Sequence, residues 1–209
     1  MSLNNVELRR LSGGAEFRVE NTDTGKYISG YAVVFEQYSK PLYGSFVEII
    51  SRDAFDNADM SDVVMVVDHA RDVRSVLARS KGGVGTLDIT IDEKGVRFRF
   101  PVPDTSLGHD IEELVERGDI SECSFAFYTR HDTWVTDAVE VDGDTYDVRR
   151  VNEVARLADL SIVVNGAYPQ TSVGVDERSL AEAACAELRA EEPTGGLSVA
   201  LAERIINTL

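Results

Sequence analysis

Cysteine and histidine are scarce in this chain: its 209 residues hold two of the first and three of the second. Cys123 and Cys185 cannot build a disulfide framework, and they read as two reduced thiols. His69, His109 and His131 fall in no His-Glu-x-x-His spacing and no Cys-x-x-Cys occurs, so no metal site is expected. Positive charge is also short. Lys and Arg number 21 against 37 Asp and Glu, a net charge of −16. Proteins that meet nucleic acid or anionic membranes carry the opposite balance, so neither partner is expected. No apolar run approaches the ~20 residues of a membrane helix. The first five residues lack the basic start and apolar stretch of a signal peptide. The glycines at 82, 83 and 85 lack the spacing and the closing Lys-Ser/Thr of a phosphate loop, and they read as a turn. What remains is an acidic, soluble, intracellular protein with no cofactor. At 43% hydrophobic content it has enough apolar residues for one packed domain and an appendage.

The pattern up to about residue 168 alternates as β structure does. Residues 27–35 predict a strand. Residues 49–57 predict a strand end followed by a short helical turn capped by Ser51. Residues 63–68 are a nearly continuous apolar strand, and 76–79 continue the sheet. Leu87, Ile89 and Ile91 alternate with Asp88, Thr90 and Asp92. After Asp92-Glu93-Lys94-Gly95, the residues Val96, Phe98, Phe100 and Val102 alternate with Arg97, Arg99 and Pro101. That is an antiparallel hairpin with one buried face. One helix, residues 105–118, interrupts the sheet. Thr105 or Ser106 caps it, Leu107, Ile111, Leu114 and Val115 line one face, and Gly118 closes it.

Residues 121–135 predict a further strand and 148–164 one or two more, with an acidic surface hairpin loop or mobile excursion at 137–144 between them. From 176 onward the chain turns Ala/Glu/Leu-rich. Two helices are expected there, at 179–192 and 197–209, separated by Pro193-Thr194-Gly195-Gly196. The expected layout is a mainly β, α+β domain over 1–175 with a helical tail over 176–209.

Three side chains could carry chemistry. In the strand around 121–127, Cys123, Phe125 and Phe127 share one apolar face. Ser124 points the other way, beside the small Ala126, where a substrate could reach its hydroxyl. Cys123 is the rival nucleophile, but its core-facing neighbours make it an inert thiol. His69 ends an apolar strand, a place that favours functional residues, with Asp68 and Asp72 close in sequence. Asp159 sits in an apolar run and needs a donor. An imidazole N–H or an arginine, Arg150 or Arg156, would serve equally. His131 is ~23 Å along an extended strand from Ser124, beyond hydrogen-bond reach, and His109 lies on a polar helix face. Serine, histidine and a carboxylate are the parts of a nucleophilic hydrolase, although spacing alone does not make one.

Several blocks together carry a resemblance. They are Gly30-Tyr31-Ala32-Val33-Val34-Phe35, Phe46-Val47-Glu48-Ile49-Ile50 with Asp53-Ala54-Phe55, Val67-Asp68-His69, and Pro103-Asp104-Thr105-Ser106 before the helix. Gly118-Asp119-Ile120-Ser121, Ser124-Phe125-Ala126-Phe127, Leu157-Ala158-Asp159-Leu160-Ser161 and Ala167-Tyr168-Pro169 complete them. In this order, over roughly residues 28–173, the chain resembles the prohead maturation proteases of tailed bacteriophages. That serine peptidase family is related in fold to herpesvirus assemblin.

The resemblance implies an assemblin-like, closed or partly open antiparallel β-barrel with peripheral helices. It implies Ser124 as nucleophile, His69 as general base and Asp159 as third member, and it points to Arg149 and Arg150 as oxyanion support. Ala126 stands where glycine is common, Ala70 where aspartate is common, and Leu77-Ala78-Arg79 where Leu-Gly-Arg is typical. None of these removes a catalytic group. The implied substrates are the scaffolding segment of the major capsid protein and the protease itself. The chain would act as a homodimer inside the assembling prohead, in the host bacterial cytoplasm. Two other readings stay open: a non-catalytic scaffold protein of a prophage that keeps the fold, and an unrelated β-barrel binding module.

Overall fold

The computed structural model describes residues 6–11, 17–23, 25–141 and 143–164. The expected C-terminal helices lie outside these residues. The described chain is mainly β, with one α-helix. Its strands are β1 (Glu7–Leu11), β2 (Arg18–Thr22), β3 (Gly25–Val34), β4 (Phe46–Ile50), β5 (Asp62–Val67), β6 (Val76–Lys81), β7 (Val84–Gly85), β8 (Asp88–Ile91), β9 (Gly95–Pro101), β10 (Glu122–Val141) and β11 (Asp144–Val163). The helix α1 spans Ser106–Glu116, between β9 and β10.

The strands form two separate sheets and not a closed barrel. One sheet runs β1-β10-β11-β5-β6-β7, with β4 also paired to β11; the other runs β2-β3-β9-β8. Among the described residues no ladder joins the two, and this corrects the closed form of the expected barrel. The all-antiparallel expectation also fails at one strand. β4 and β5 both pair in parallel with β11, along Asp147–Val151 and Asp159–Ile162 respectively. The segment between β4 and β5 crosses over while staying on the same edge of β11. That crossover replaces the expected helical turn after Ser51. Its backbone bonds outward to β11, through Ser51 N–H to Val151 O, Val154 N–H to Ala54 O and Asp59 N–H to Ala155 O, and so only isolated turns remain within it.

The β8–β9 hairpin follows its sequence pattern because Asp92 organises the turn. Its Oδ1 accepts from the backbone of Lys94 and Gly95, and its Oδ2 accepts from Tyr31 Oη. Gly95 is required by space: a Cβ there would lie 1.9 Å from Val33 O. α1 starts at Thr105, whose hydroxyl accepts from Gly108 N–H. It buries Ile111 and Val115 on the core side. The acidic segment at 137–144 takes the hairpin form of the two expected, as the end of the long β10–β11 hairpin. Val139, Val141 and Tyr146 pack on a second small cluster of Val47, Ile49 and Val148, which holds the strands in register past the acidic positions. β1 and β2 carry no clear alternation in sequence and were not anticipated.

The main core lies between the two sheets, with Phe98 and Phe100 from one meeting Phe127, Leu157 and Leu160 from the other. Phe98 is fully buried and touches the rings of Phe17 and Phe100. Phe98→Ala should destabilise the chain by about 3–5 kcal/mol through lost burial and an unfilled cavity. Ile91→Ala, at an exposed position of the same hairpin, should stay within about 0.5 kcal/mol of wild type. Denaturant titration of both variants checks the contrast.

Candidate active site

Strand alternation builds the site. On β10 the residues Cys123, Phe125 and Phe127 face the core, which leaves Ser124 and Ala126 on the opposite face. On β11 the core-facing Leu160 and Ile162 leave Asp159 and Ser161 on that same opposite face. The ladder pairs Ser124 with Ser161 and Ala126 with Asp159. Ser124 and Asp159 are therefore diagonal neighbours, a relation that spans roughly 7–8 Å. An imidazole with a hydrogen bond at each ring nitrogen fills that span, provided the residue between them is small. Ala126 is that residue.

His69 reaches this face from the end of β5, which pairs with β11 through Asp159–Ile162. Asp68 and His69 both adopt left-handed backbone, with φ of 53° and 51°. Two such non-glycine residues in succession are costly, and the surroundings must hold them. Asp68 N–H donates to Ile162 O at 2.9 Å, and His69 N–H donates to Ser161 Oγ at 2.8 Å. The turn brings the imidazole back over the sheet. His69 Nδ1 lies 2.6 Å from Asp159 Oδ1, and Nε2 lies 2.6 Å from Ser124 Oγ. Of the open alternatives for Asp159, the structure pairs it with the imidazole. The carboxylate keeps His69 in the tautomer with its proton on Nδ1, which leaves Nε2 free to accept a proton from Ser124.

Ser161 had no role in the sequence reading. It stands two residues after Asp159, and only the ladder reveals that its hydroxyl anchors the His69 backbone. Cys123 has 0% exposure, and burial pushes its thiol up to about 12, which keeps it protonated. His109 pairs with Asp104 on the surface, and His131 is exposed opposite Glu153. Neither joins the site. Asp72 caps the turn after β5 and pairs with Arg74.

Arg149 and Arg150 do not join the three residues either. They sit far along β11, opposite Trp134 and Thr133. Arg150 bonds Glu36. Arg149 is buried in a carboxylate cluster with Asp132, Glu48 and Glu7. This cluster ties down β1, since Glu7 also accepts from Thr129 and Arg9 bonds Glu48.

β1 changes one expectation. Ser124 was expected to be accessible and is fully buried instead, with 0% exposure. β1 pairs antiparallel with β10, placing Arg10 opposite Ser124, and Ser124 Oγ donates to Arg9 O at 2.8 Å. The hydroxyl has one proton and two acceptors in reach, Arg9 O and His69 Nε2. His69 and Asp159 stay slightly open, at 14% and 13% exposure.

The family model for caudovirus prohead serine protease matches residues 15–185. The chain belongs to the caudovirus prohead serine protease family. β1, at 7–11, precedes the part of this prohead protease that the family model matches. Among solved structures, the bacteriophage T4 capsid assembly protease is similar at 14% identity and a TM-score of 0.47, over 78% of this chain and 99% of that one. No curated protein matches. Among the described residues no group of His, Cys, Asp and Glu could hold a metal ion, and no helix is long and apolar enough to cross a membrane.

The anchoring of β1 has a pH signature. Burial alone would raise the Glu7 carboxyl, but the hydrogen bond and charge of Arg149 and the charge of Arg9 outweigh it and hold Glu7 at about 2, from an ordinary 4.5. Because the docked value lies below the free one, this contribution is complete above about pH 4.5. It is lost as pH falls toward 2. The protection factors of the amides of residues 7–11, taken relative to intrinsic exchange at each pH, should fall across that window. Glu7→Gln should exchange faster at neutral pH and lose that part of the pH dependence.

Proposed function

We propose that this family member is an active serine endopeptidase of prohead maturation, with Ser124 as nucleophile, His69 as general base and Asp159 as the group that orients the imidazole. The observation that carries the reading is the pair of 2.6 Å contacts at the two nitrogens of one imidazole. Ser124 Oγ attacks the carbonyl carbon of the scissile peptide as its proton passes to His69 Nε2. The peptide C–N bond then breaks, and the proton goes to the leaving amine. Water, deprotonated by His69, hydrolyses the acyl ester, and the proton returns to Ser124 Oγ. Asp159 stabilises the imidazolium at both stages. The substrates are the scaffolding segment of the major capsid protein and the chain itself, cut inside the assembling prohead in the host cytoplasm, and the enzyme works as a homodimer. Arg149 and Arg150 are left out of the oxyanion site, because carboxylates already engage both guanidinium groups.

Burial of Ser124 favours a second reading, an inactive scaffold protein that keeps the fold. The two part on one measurement, the intact mass of the purified chain over time at high concentration, beside Ser124→Ala. Under the protease reading, wild type fragments and Ser124→Ala stays whole. If both stay whole, with capsid protein present as well, the scaffold reading takes over.

Ser161→Ala removes the hydroxyl that anchors the His69 backbone and touches no substrate. It should lower kcat by about 10- to 100-fold through misplacement of the imidazole. KM should be unchanged, and Ser161→Thr should recover part of the loss. A steady-state split of kcat and KM checks this.

A further inference from the structure

β1 lies where a bound peptide would lie. It is the edge strand beside β10, runs antiparallel to it, and sets the Arg9 carbonyl against Ser124 Oγ. Extended peptides add to sheet edges in this way. Main-chain hydrogen bonds then supply affinity, and pockets for alternate side chains supply specificity. In this pose Arg9 is the residue whose carbonyl meets the nucleophile. Glu7, two residues earlier, shares its face of the strand.

Both side chains enter built pockets. The Arg9 guanidinium forks onto Glu48, with Nε 2.6 Å from Oε1 and Nη2 2.8 Å from Oε2, and lies 5.7 Å from the centre of the Phe127 ring. Glu48 is only 3% exposed. Glu7 meets Arg149 Nη2 at 2.9 Å and accepts from Thr129 Oγ1 at 2.6 Å. With β1 lifted away, the cluster keeps two carboxylates, Glu48 and Asp132, and one guanidinium, Arg149. β1 brings one guanidinium and one carboxylate, so the net charge of the cluster does not change when it leaves; what is lost is the two-point partner of Glu48, a carboxylate only 3% exposed, and a cation must replace it. A planar guanidinium does so best, because the carboxylate is held by a two-point fork.

We propose that the site takes extended peptides with a basic residue, arginine foremost, immediately before the cleaved bond and an acidic residue two positions earlier, read by Glu48 and Arg149. This specificity rests on the serine endopeptidase reading above. Neither Glu48 nor Arg149 takes part in bond making. They select which peptide is presented to Ser124.

The test uses four peptides with the sequence of residues 5–13, carrying arginine, lysine, alanine or glutamate at the position of Arg9. They are offered at concentrations above the millimolar range, so that they can compete with β1, to the full chain and to full-length Glu7→Gln, whose β1 is less tightly held. Cleavage is mapped by mass spectrometry. Labelling of Ser124 by a fluorophosphonate probe is followed separately, with Ser124→Ala as blank. The expected cut falls after the residue at the Arg9 position. kcat/KM should fall in the order arginine, lysine, alanine, glutamate, with about 100-fold or more between first and last, since like charges meet in the last. Equal rates, a cut elsewhere, or labelling without cleavage of any peptide overturns the specificity. No labelling and no cleavage in either chain overturns the endopeptidase reading, and this inference with it. Glu48→Gln should narrow the arginine-to-glutamate ratio at least tenfold; a ratio that does not move counts against Glu48. The peptide series carries the test if that variant does not fold.

Discussion

The ladder between β10 and β11 is the constraint on which the site depends. Its register places Ser124 against Ser161 and Ala126 against Asp159. A slip of one residue would turn Ser124 into the core and bring Phe125 out, because side chains alternate with a period of two. The core resists the slip. Cys123, Phe125, Phe127, Leu160 and Ile162 are all buried on the far side of the same strands. The packing that stabilises the two sheets and the geometry that brings Ser124 to His69 are thus two faces of one pairing.

The histidine depends on the same strands at one remove. β5 lies parallel to β11, so its end arrives beside Ser161, and the left-handed turn at Asp68 and His69 is fixed by two hydrogen bonds to β11. A parallel neighbour matters here. An antiparallel one would bring its opposite end to this place, and His69 would emerge at the far side of the sheet.

Much of this was legible in the sequence, for reasons that differ by residue. Period-two alternation exposed the β8–β9 hairpin and the opposite facing of Ser124 and Phe125, because one buried face leaves a visible pattern. Thr105 and Gly118 marked the ends of α1 for local reasons. His69, Ser124 and Asp159 were chosen together through the order of the blocks, since no local property of any one of them points to the other two. The closed barrel was not legible, because sheet closure depends on which edges meet. Ser161 was missed for a related reason: its role comes from a cross-strand partner, and its neighbours in sequence say nothing of it. β1 was missed because Glu7-Leu8-Arg9-Arg10-Leu11 reads as a polar segment. Its Glu7 and Arg9 side chains dock only because Arg149 and Glu48, from two other strands, receive them.

Because β1 belongs to the same polypeptide as the strand it covers, its hold on Ser124 is unimolecular. Diluting the protein does not loosen it, whereas a free peptide of equal intrinsic affinity would dissociate. A competing peptide faces the effective concentration of a strand that is covalently part of the same chain, on the order of millimolar. Under the proposed endopeptidase reading, access to Ser124 is therefore governed by the local packing density of competing chains. If the proposed substrates line a confined shell, that shell is an environment dense enough to contend with β1, and a dilute solution is not.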